Sequence, residues 1–272
     1  MNRRILLITA SAAAVLLIGI AVFQLQERFG KVSSASEGAA SLSAMLREAE
    51  SLEAGNKFVE AKELYQQLVS EFSNSPDVMQ WQKRAEEINM ELLFSPEVTP
   101  KSVSYEIKPG DTLSKIAREH KTTVELIMKA NSLSTTKILP GRKLKVWNAP
   151  FTVLVDKSQN TLILRSGEDI MKSYVVSTGK DNSTPVGKFT VVNKLANPTW
   201  FKAGAVVPPS SPENILGTRW LGFDLPGYGI HGTTEPEKLG QQLTLGCVRM
   251  HNKEVEELFA IVPLGTEVII TD

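Results

Sequence analysis

The 272-residue chain carries 30 basic and 30 acidic side chains, so its formal net charge is zero. Hydrophobic content of 42% with charged content of 22% is that of folded protein and excludes wholesale disorder. One cysteine excludes an internal disulfide framework, three histidines leave little material for a zinc site, and no P-loop, zinc-protease or Gly-x-Ser-x-Gly motif is present.

The neutral total hides four blocks. Residues 1–30 carry +2, 31–100 carry −6, 101–148 carry +6 and 149–272 carry −2. Each block also changes in texture, which predicts four segments with these boundaries.

In the first, Ile5 to Leu25 is free of charge and long enough to cross an apolar layer of about 30 Å as a helix. A cleaved signal would have a shorter apolar core and a small-residue site directly after it. Here Gln24-Leu25-Gln26-Glu27 follows, and Ser33-Ser34-Ala35 lies far downstream. The expectation is an uncleaved transmembrane anchor, with a cleaved signal as the alternative. Arg3 and Arg4 favour an N-terminus on the cytoplasmic side.

Residues 31–100 open with a small, polar linker and then turn helical. Leu42, Met45, Leu46 and Ala49, then Phe58, Ala61, Leu64, Tyr65 and Leu68, follow a helical period. Gly55-Asn56 and Asn74-Ser75-Pro76 break it, and a third helix is expected from Asp77 to about Leu93. Ala49, Leu52, Gly55, Phe58, Ala61 and Tyr65 resemble one tetratricopeptide-type helix pair. A single such unit cannot bury its apolar face, so the segment reads as a small helical spacer.

Residues 101–148 predict a strand–helix–helix–strand unit. Val103, Tyr105 and Ile107 alternate; Lys108-Pro109-Gly110 turns; Asp111 is placed to cap a helix bearing Leu113, Ile116 and Ala117. Thr123 opens a second helix, and Lys143 to Trp147 closes the unit. Tyr105, Pro109-Gly-Asp-Thr-Leu113, Ile116-Ala117, Asn131 and Leu139-Pro-Gly141 with Leu144 resemble a LysM domain. The resemblance implies binding of N-acetylglucosamine-containing glycan, at Gly110, Asp111 and Thr112. The plainer reading of those three residues is a turn and a helix cap. Nucleic acid is not expected, because no recognition motif accompanies the basic charge.

Residues 149–272 are rich in short alternating runs punctuated by glycine and proline, a mainly β domain. Phe151 to Val155 and Thr161 to Leu164 read as a hairpin. Met171 to Ser177, Gly187 to Asn193 and Thr266 to Thr271 read as further strands. Only Lys253 to Ile261 reads as a helix, with Asn252 as its cap.

The single cysteine lies in Thr244-Leu-Gly-Cys-Val-Arg-Met250. A lone cysteine is usually a buried small hydrophobe. Here Gly246 permits close approach of another backbone or a substrate, and Arg249 lies two residues on, on the same face of a strand. A nucleophilic thiol needs a base or a positive field. Arg249 could supply field or grip a carboxylate. Of the histidines, His120 sits in the preceding module and His251 at the entrance of the last helix. His231, in Gly227-Tyr-Gly-Ile-His-Gly-Thr, follows a short apolar strand and is the favoured base.

Ser177-Thr-Gly-Lys, Thr184-Pro-Val-Gly-Lys-Phe, Asn197-Pro-Thr-Trp, Ile230-His-Gly-Thr and Gly246-Cys-Val-Arg-Met-x-Asn252 together resemble an L,D-transpeptidase (YkuD-like) catalytic domain. The resemblance implies Cys247 as nucleophile, His231 as base and Gly232 as the residue whose carbonyl orients it. It also places Arg249, Gly246, Trp200 and Tyr228 on the substrate side. The implied reaction is two-step acyl transfer through a thioester on peptidoglycan stem peptides. It gives 3–3 cross-links outside the cytoplasm, with backbone N–H groups near Gly246 and Cys247 facing the oxyanion and with no cofactor or metal. An L,D-carboxypeptidase using water as acceptor, or a non-catalytic wall anchor, are the alternatives. Leu245 departs from the family pattern, where many members have histidine. It is expected to make one wall of the site apolar and so to raise the thiol pKa.

Overall fold

The computed structural model describes residues 38–202 and 204–272. The uncharged run expected to anchor the chain, residues 5–25, lies outside them. Among the described residues no helix is long and apolar enough to cross a membrane. The fold separates into two compact units, divided between Gln82 and Lys83.

In the first unit, α1 (residues 38–54) is followed by α2 (Phe58–Glu71). Asn56 sits between them in the left-handed region at φ 57°, a conformation asparagine tolerates better than most side chains. Ala61, Tyr65 and Leu68, spaced at helical intervals, are the buried residues of α2. Helix α3 (Val78–Phe94) then runs across the division between the units.

The part of α3 beyond Lys83 is more than a spacer. Met90 and Leu93 belong to the large core of the second unit. The Glu86 carboxylate accepts from the Ser173 N–H at 3.1 Å and from its hydroxyl at 2.9 Å, and the Asn89 amide donates to the Ile170 carbonyl at 2.8 Å. An acidic and an amide side chain of this helix are thus spent on residues far along the chain.

Next comes β1 (Ser102–Glu106), α4 (Leu113–Glu119), α5 (Val124–Ala130) and β2 (Lys143–Trp147), with β1 and β2 antiparallel. Ile107, Leu113, Ile116, Ala117, Ile127, Leu144 and Val146 form its own small core. The cap of α4 is Thr112, whose hydroxyl accepts from Lys115 N–H at 3.1 Å, and not Asp111 as expected. The Asp111 carboxylate is drawn away by the Lys108 N–H, the Tyr105 hydroxyl and Lys115 Nζ, which hold its pKa down to about 2. Thr123 caps α5, as expected.

This small module is mounted on the rest of the unit. Leu126 of α5 and Trp147 of β2 are buried in the large core, each stabilising it by about 1.5–3 kcal/mol. The Thr123 hydroxyl donates to the Ala260 carbonyl. Lys145, 3% exposed, reaches the Leu92 and Ser95 carbonyls at the end of α3, and burial lowers its pKa to about 8.

The remaining strands are β3 (Phe151–Asp156), β4 (Thr161–Ser166), β5 (Asp169–Gly179), β6 (Gly187–Ala196), β7 (Trp200–Lys202), β8 (Ala205–Val207), β9 (Arg219–Phe223), β10 (Gly229–His231), β11 (Gln242–Thr244), β12 (Val248–Met250) and β13 (Glu267–Thr271). One sheet runs β11-β5-β12-β10-β9-β6-β13-β3-β4, and β4 pairs again with β5, so the ladder closes on itself as a barrel. The β3–β4 hairpin and the β2, β5, β6 and β13 runs match the sequence expectation, with β5 and β6 longer than expected. Strands β7 and β8 form a separate hairpin.

Helix α6 (Asn252–Ile261) closes the barrel with Val255, Leu258 and Ile261 in the core. Its cap is the His251 ring, which accepts from Lys253 N–H at 3.2 Å. Asn252 does not cap it, because its amide is committed elsewhere.

Candidate active site

Two neighbouring parallel strands bring the candidate residues together. β10 and β12 pair Ile230 with Val248 and His231 with Arg249. Ile230 and Val248 are buried in the core. Strand alternation then turns His231 and Arg249 to the other face. Cys247, just before β12, falls opposite Gly229 in this register, two residues from His231.

The approach to Cys247 is shaped by glycines. Gly246 is in the left-handed region at φ 121°, and a Cβ there would lie 2.7 Å from the Tyr228 ring. Thr244 clamps the loop: its hydroxyl donates to the Cys247 carbonyl at 2.6 Å and accepts from Gly246 N–H at 3.1 Å. Tyr228 therefore packs on the loop that carries the thiol.

His231 is 2% exposed. Its Nδ1 lies 2.7 Å from the Gly232 carbonyl. A carbonyl only accepts, so Nδ1 carries the hydrogen and Nε2 is left as the acceptor. Burial pulls the imidazole pKa down to about 4; the Gly232 carbonyl opposes that and the Arg249 charge adds to it. Burial pushes the half-buried Cys247 thiol up, against the Gly229 N–H and Arg249. The thiol also donates to the Gly227 carbonyl at 3.4 Å. Both shifts favour the uncharged form, of the thiol and of the imidazole.

The backbone around His231 is fixed by Asn252. Its Oδ1 accepts from Thr233 N–H at 3.0 Å and Thr218 N–H at 3.3 Å, and its Nδ2 donates to the Thr233 carbonyl at 2.8 Å. A Cβ at Gly232 would lie 2.1 Å from that Oδ1.

Arg249 is 6% exposed and pairs with Glu235 at 3.3 Å. Its charge opposes protonation of His231 and favours the Cys247 thiolate. Leu245 corrects the expectation drawn from its apolar character. It is 90% exposed and forms no wall against the thiol, whose rise has its first cause in the burial of Cys247 itself.

A cavity of about 300 Å³ opens at Cys247. Asn193, Leu195, Trp200, Leu216, Trp220 and Gly227 are among the residues that line it, so the expected Trp200 does face the cleft. Phe201 and Val206 of the β7–β8 hairpin are exposed beside it. Asn193, Trp220 and Glu235 were not anticipated. The readable signal for Trp220 was a bulky aromatic followed by Gly222 and Gly229, two positions without side chains that leave room for an indole.

In the LysM-like module, Gly110 is left-handed at φ 84° and faces open space, while the Asp111 and Thr112 side chains are spent on the turn and the cap.

Residues 150–270 match the model of the L,D-transpeptidase catalytic domain, and residues 105–147 that of the LysM domain. The chain is 35% identical to the putative L,D-transpeptidase YkuD of Bacillus licheniformis over 61% of this chain and 98% of that protein. It is 33% identical to its Bacillus subtilis counterpart over 62% and 98% of the two chains. It is 44% identical to the putative L,D-transpeptidase YqjB of Bacillus subtilis over 44% of this chain and 70% of the other. With its histidine on β10 and its cysteine just before the adjoining β12 of a closed β barrel, this chain belongs to the L,D-transpeptidase family and joins that catalytic domain to a LysM domain.

Proposed function

We propose that the protein is a peptidoglycan L,D-transpeptidase in which Cys247 is the nucleophile and His231 its acid–base partner. The observation that carries this reading is the β10–β12 register, which sets Cys247 just before the residues opposite His231, together with a buried imidazole whose hydrogen-bonded Nδ1 leaves Nε2 as the acceptor. As Cys247 Sγ attacks the carbonyl carbon of the third stem residue, its proton passes to Nε2, so charge develops only in the transition state. The carbonyl oxygen becomes an oxyanion. The Gly246 N–H is already committed to Thr244, which leaves the Cys247 N–H as the nearer backbone donor. The C–N bond to D-alanine breaks, His231 returns the proton to the departing amine, and a thioester remains. An amine of a second stem then attacks that thioester, releases the thiol and leaves a 3–3 cross-link.

Gly232 holds the imidazole, Trp200 and Tyr228 shape the donor cleft with Gly246, and Arg249 steadies the thiolate as it forms. The LysM domain, at Gly110, Asp111 and Thr112, holds glycan. Residues 5–25 span the membrane and keep residues 31–272 on its outer side, with the stretch from residue 31 to Gln82 as the stalk.

Mass spectrometry of protein and products after mixing with a stem tetrapeptide tests the reading. A thioester-sized adduct on Cys247 and a cross-linked peptide dimer are expected. Tripeptide with free D-alanine would make the protein a carboxypeptidase, and unchanged peptide would make it a wall-binding protein.

A further inference from the structure

We infer that Trp220 is a positioning residue for His231: its indole, braced by Asn193 and seated on two glycines, sets the plane of the imidazole and screens it from the cleft. This rests on the reading that His231 serves Cys247. Trp220 and His231 are direct cross-strand partners in the antiparallel β9–β10 pair. Their rings stack with centroids 5.9 Å apart and planes 19° apart.

The indole is itself held. Its Nε1–H donates to Asn193 Oδ1 at 3.0 Å. A Cβ at Gly222 would lie 2.6 Å from Nε1 and 2.5 Å from Asn193 Oδ1, and one at Gly229 would lie 2.9 Å from Cζ2. Both neighbouring backbones thus lack side chains where the indole lies. The single bond from Nδ1 to the Gly232 carbonyl fixes one edge of the imidazole but not its tilt; a flat ring against its face does. Trp220 and Asn193 both line the Cys247 cavity, so the indole stands at the wall between that cavity and the buried ring. The other groups that bear on the imidazole charge are Arg249, opposite His231 on β12 and paired with Glu235, and Cys247 just before that strand. Position 220 on β9 contributes no charge.

The test compares Trp220→Ala, Trp220→Phe and Asn193→Ala in the full chain. The His231 titration is read by histidine-selective NMR, and kcat and KM by turnover of a stem tetrapeptide. Opening the ring to water should raise the His231 midpoint by about one pH unit or more in Trp220→Ala, toward the ordinary value near 6.5. The kcat should fall about 10-fold or more with KM changed less than about 3-fold, and Trp220→Phe should recover most of both. Asn193→Ala, which frees the indole without removing it, should move the midpoint the same way by less. If Trp220→Ala does not fold, Asn193→Ala and Trp220→Phe decide the matter. An unmoved His231 midpoint with a raised KM and unchanged kcat would overturn the inference and leave Trp220 a plain cleft wall. A wild-type chain that does not turn over tetrapeptide, but whose His231 midpoint still shifts in Trp220→Ala, would sink the proposed function and leave the positioning standing.

Discussion

Replacing Asn252 with alanine should loosen the histidine side of the site more than any nearby surface change. The side chain makes three hydrogen bonds, to the N–H of Thr218 and to both the N–H and the carbonyl of Thr233. Thr233 is 2% exposed, so two of the groups left behind have little access to water. At about 1 kcal/mol for each lost bond, the cost is about 3 kcal/mol. For a unit of this size that corresponds to a fall in Tm of about 6–12 °C. The same loss frees the backbone of Gly232 and Thr233, from which the imidazole is held, and kcat should drop about 10-fold through misplacement alone. Scanning calorimetry and tetrapeptide turnover on the same sample read both effects. A Tm within about 2 °C of wild type, with unchanged kcat, would show that the His231 segment is held by something else.

Cys247→Ala should abolish adduct formation while leaving Tm within about 2 °C, since the residue is only half-buried; residual turnover above a few per cent would remove Cys247 from the mechanism. His251→Ala should cost about 1 kcal/mol through the lost α6 cap and leave kcat within about 2-fold, and a large loss of kcat would instead make His251 the base. The His231 pKa is depressed to about 4 in the fold against about 6.5 in the unfolded chain, so the unfolded chain binds the proton first. The stability contributed by neutral His231 is complete above pH about 6.5 and is lost as pH falls toward about 4, on the order of 3 kcal/mol. Denaturant titrations of wild type and His231→Gln across that window should converge at low pH, and parallel curves would refute the burial argument. A chain starting at residue 149 loses Met90, Leu93, Leu126 and Trp147 from the barrel core and should show a lower Tm than the chain from Lys83; equal Tm values would mean these contacts contribute nothing.

What could be read in the sequence was local. The β3–β4 hairpin shows itself because its two strands alternate across a short turn, and β2, α4 and α5 because each is one uninterrupted apolar pattern. Strands β10, β11 and β12 span three residues each, too short to display a period, and exist because distant partners supply their ladders. Cys247 and His231 were legible through their glycine-rich surroundings and the family resemblance. Their burial was not, because it arises only when the barrel closes. The anchoring of Glu86 and Asn89 could not be read, because their partners, Ser173 and Ile170, lie far along the chain. The same applies to the caps: Asp111 and Asn252 are good capping residues by type, and each was claimed by a stronger set of partners.

The burial of Leu126 and Trp147 in the barrel core fixes the LysM domain to the barrel that carries the thiol. A flexible tether would raise the local concentration of every stem within its sweep. A rigid mount behaves like a calliper. On the proposed function, a strand gripped at Gly110 would offer Cys247 only those stems that fall at one set interval along the polymer, and a mismatched interval would gain nothing from the grip. Such an enzyme would place its cross-links at a repeat of the strand, so that their spacing in the finished wall records the distance between the two sites.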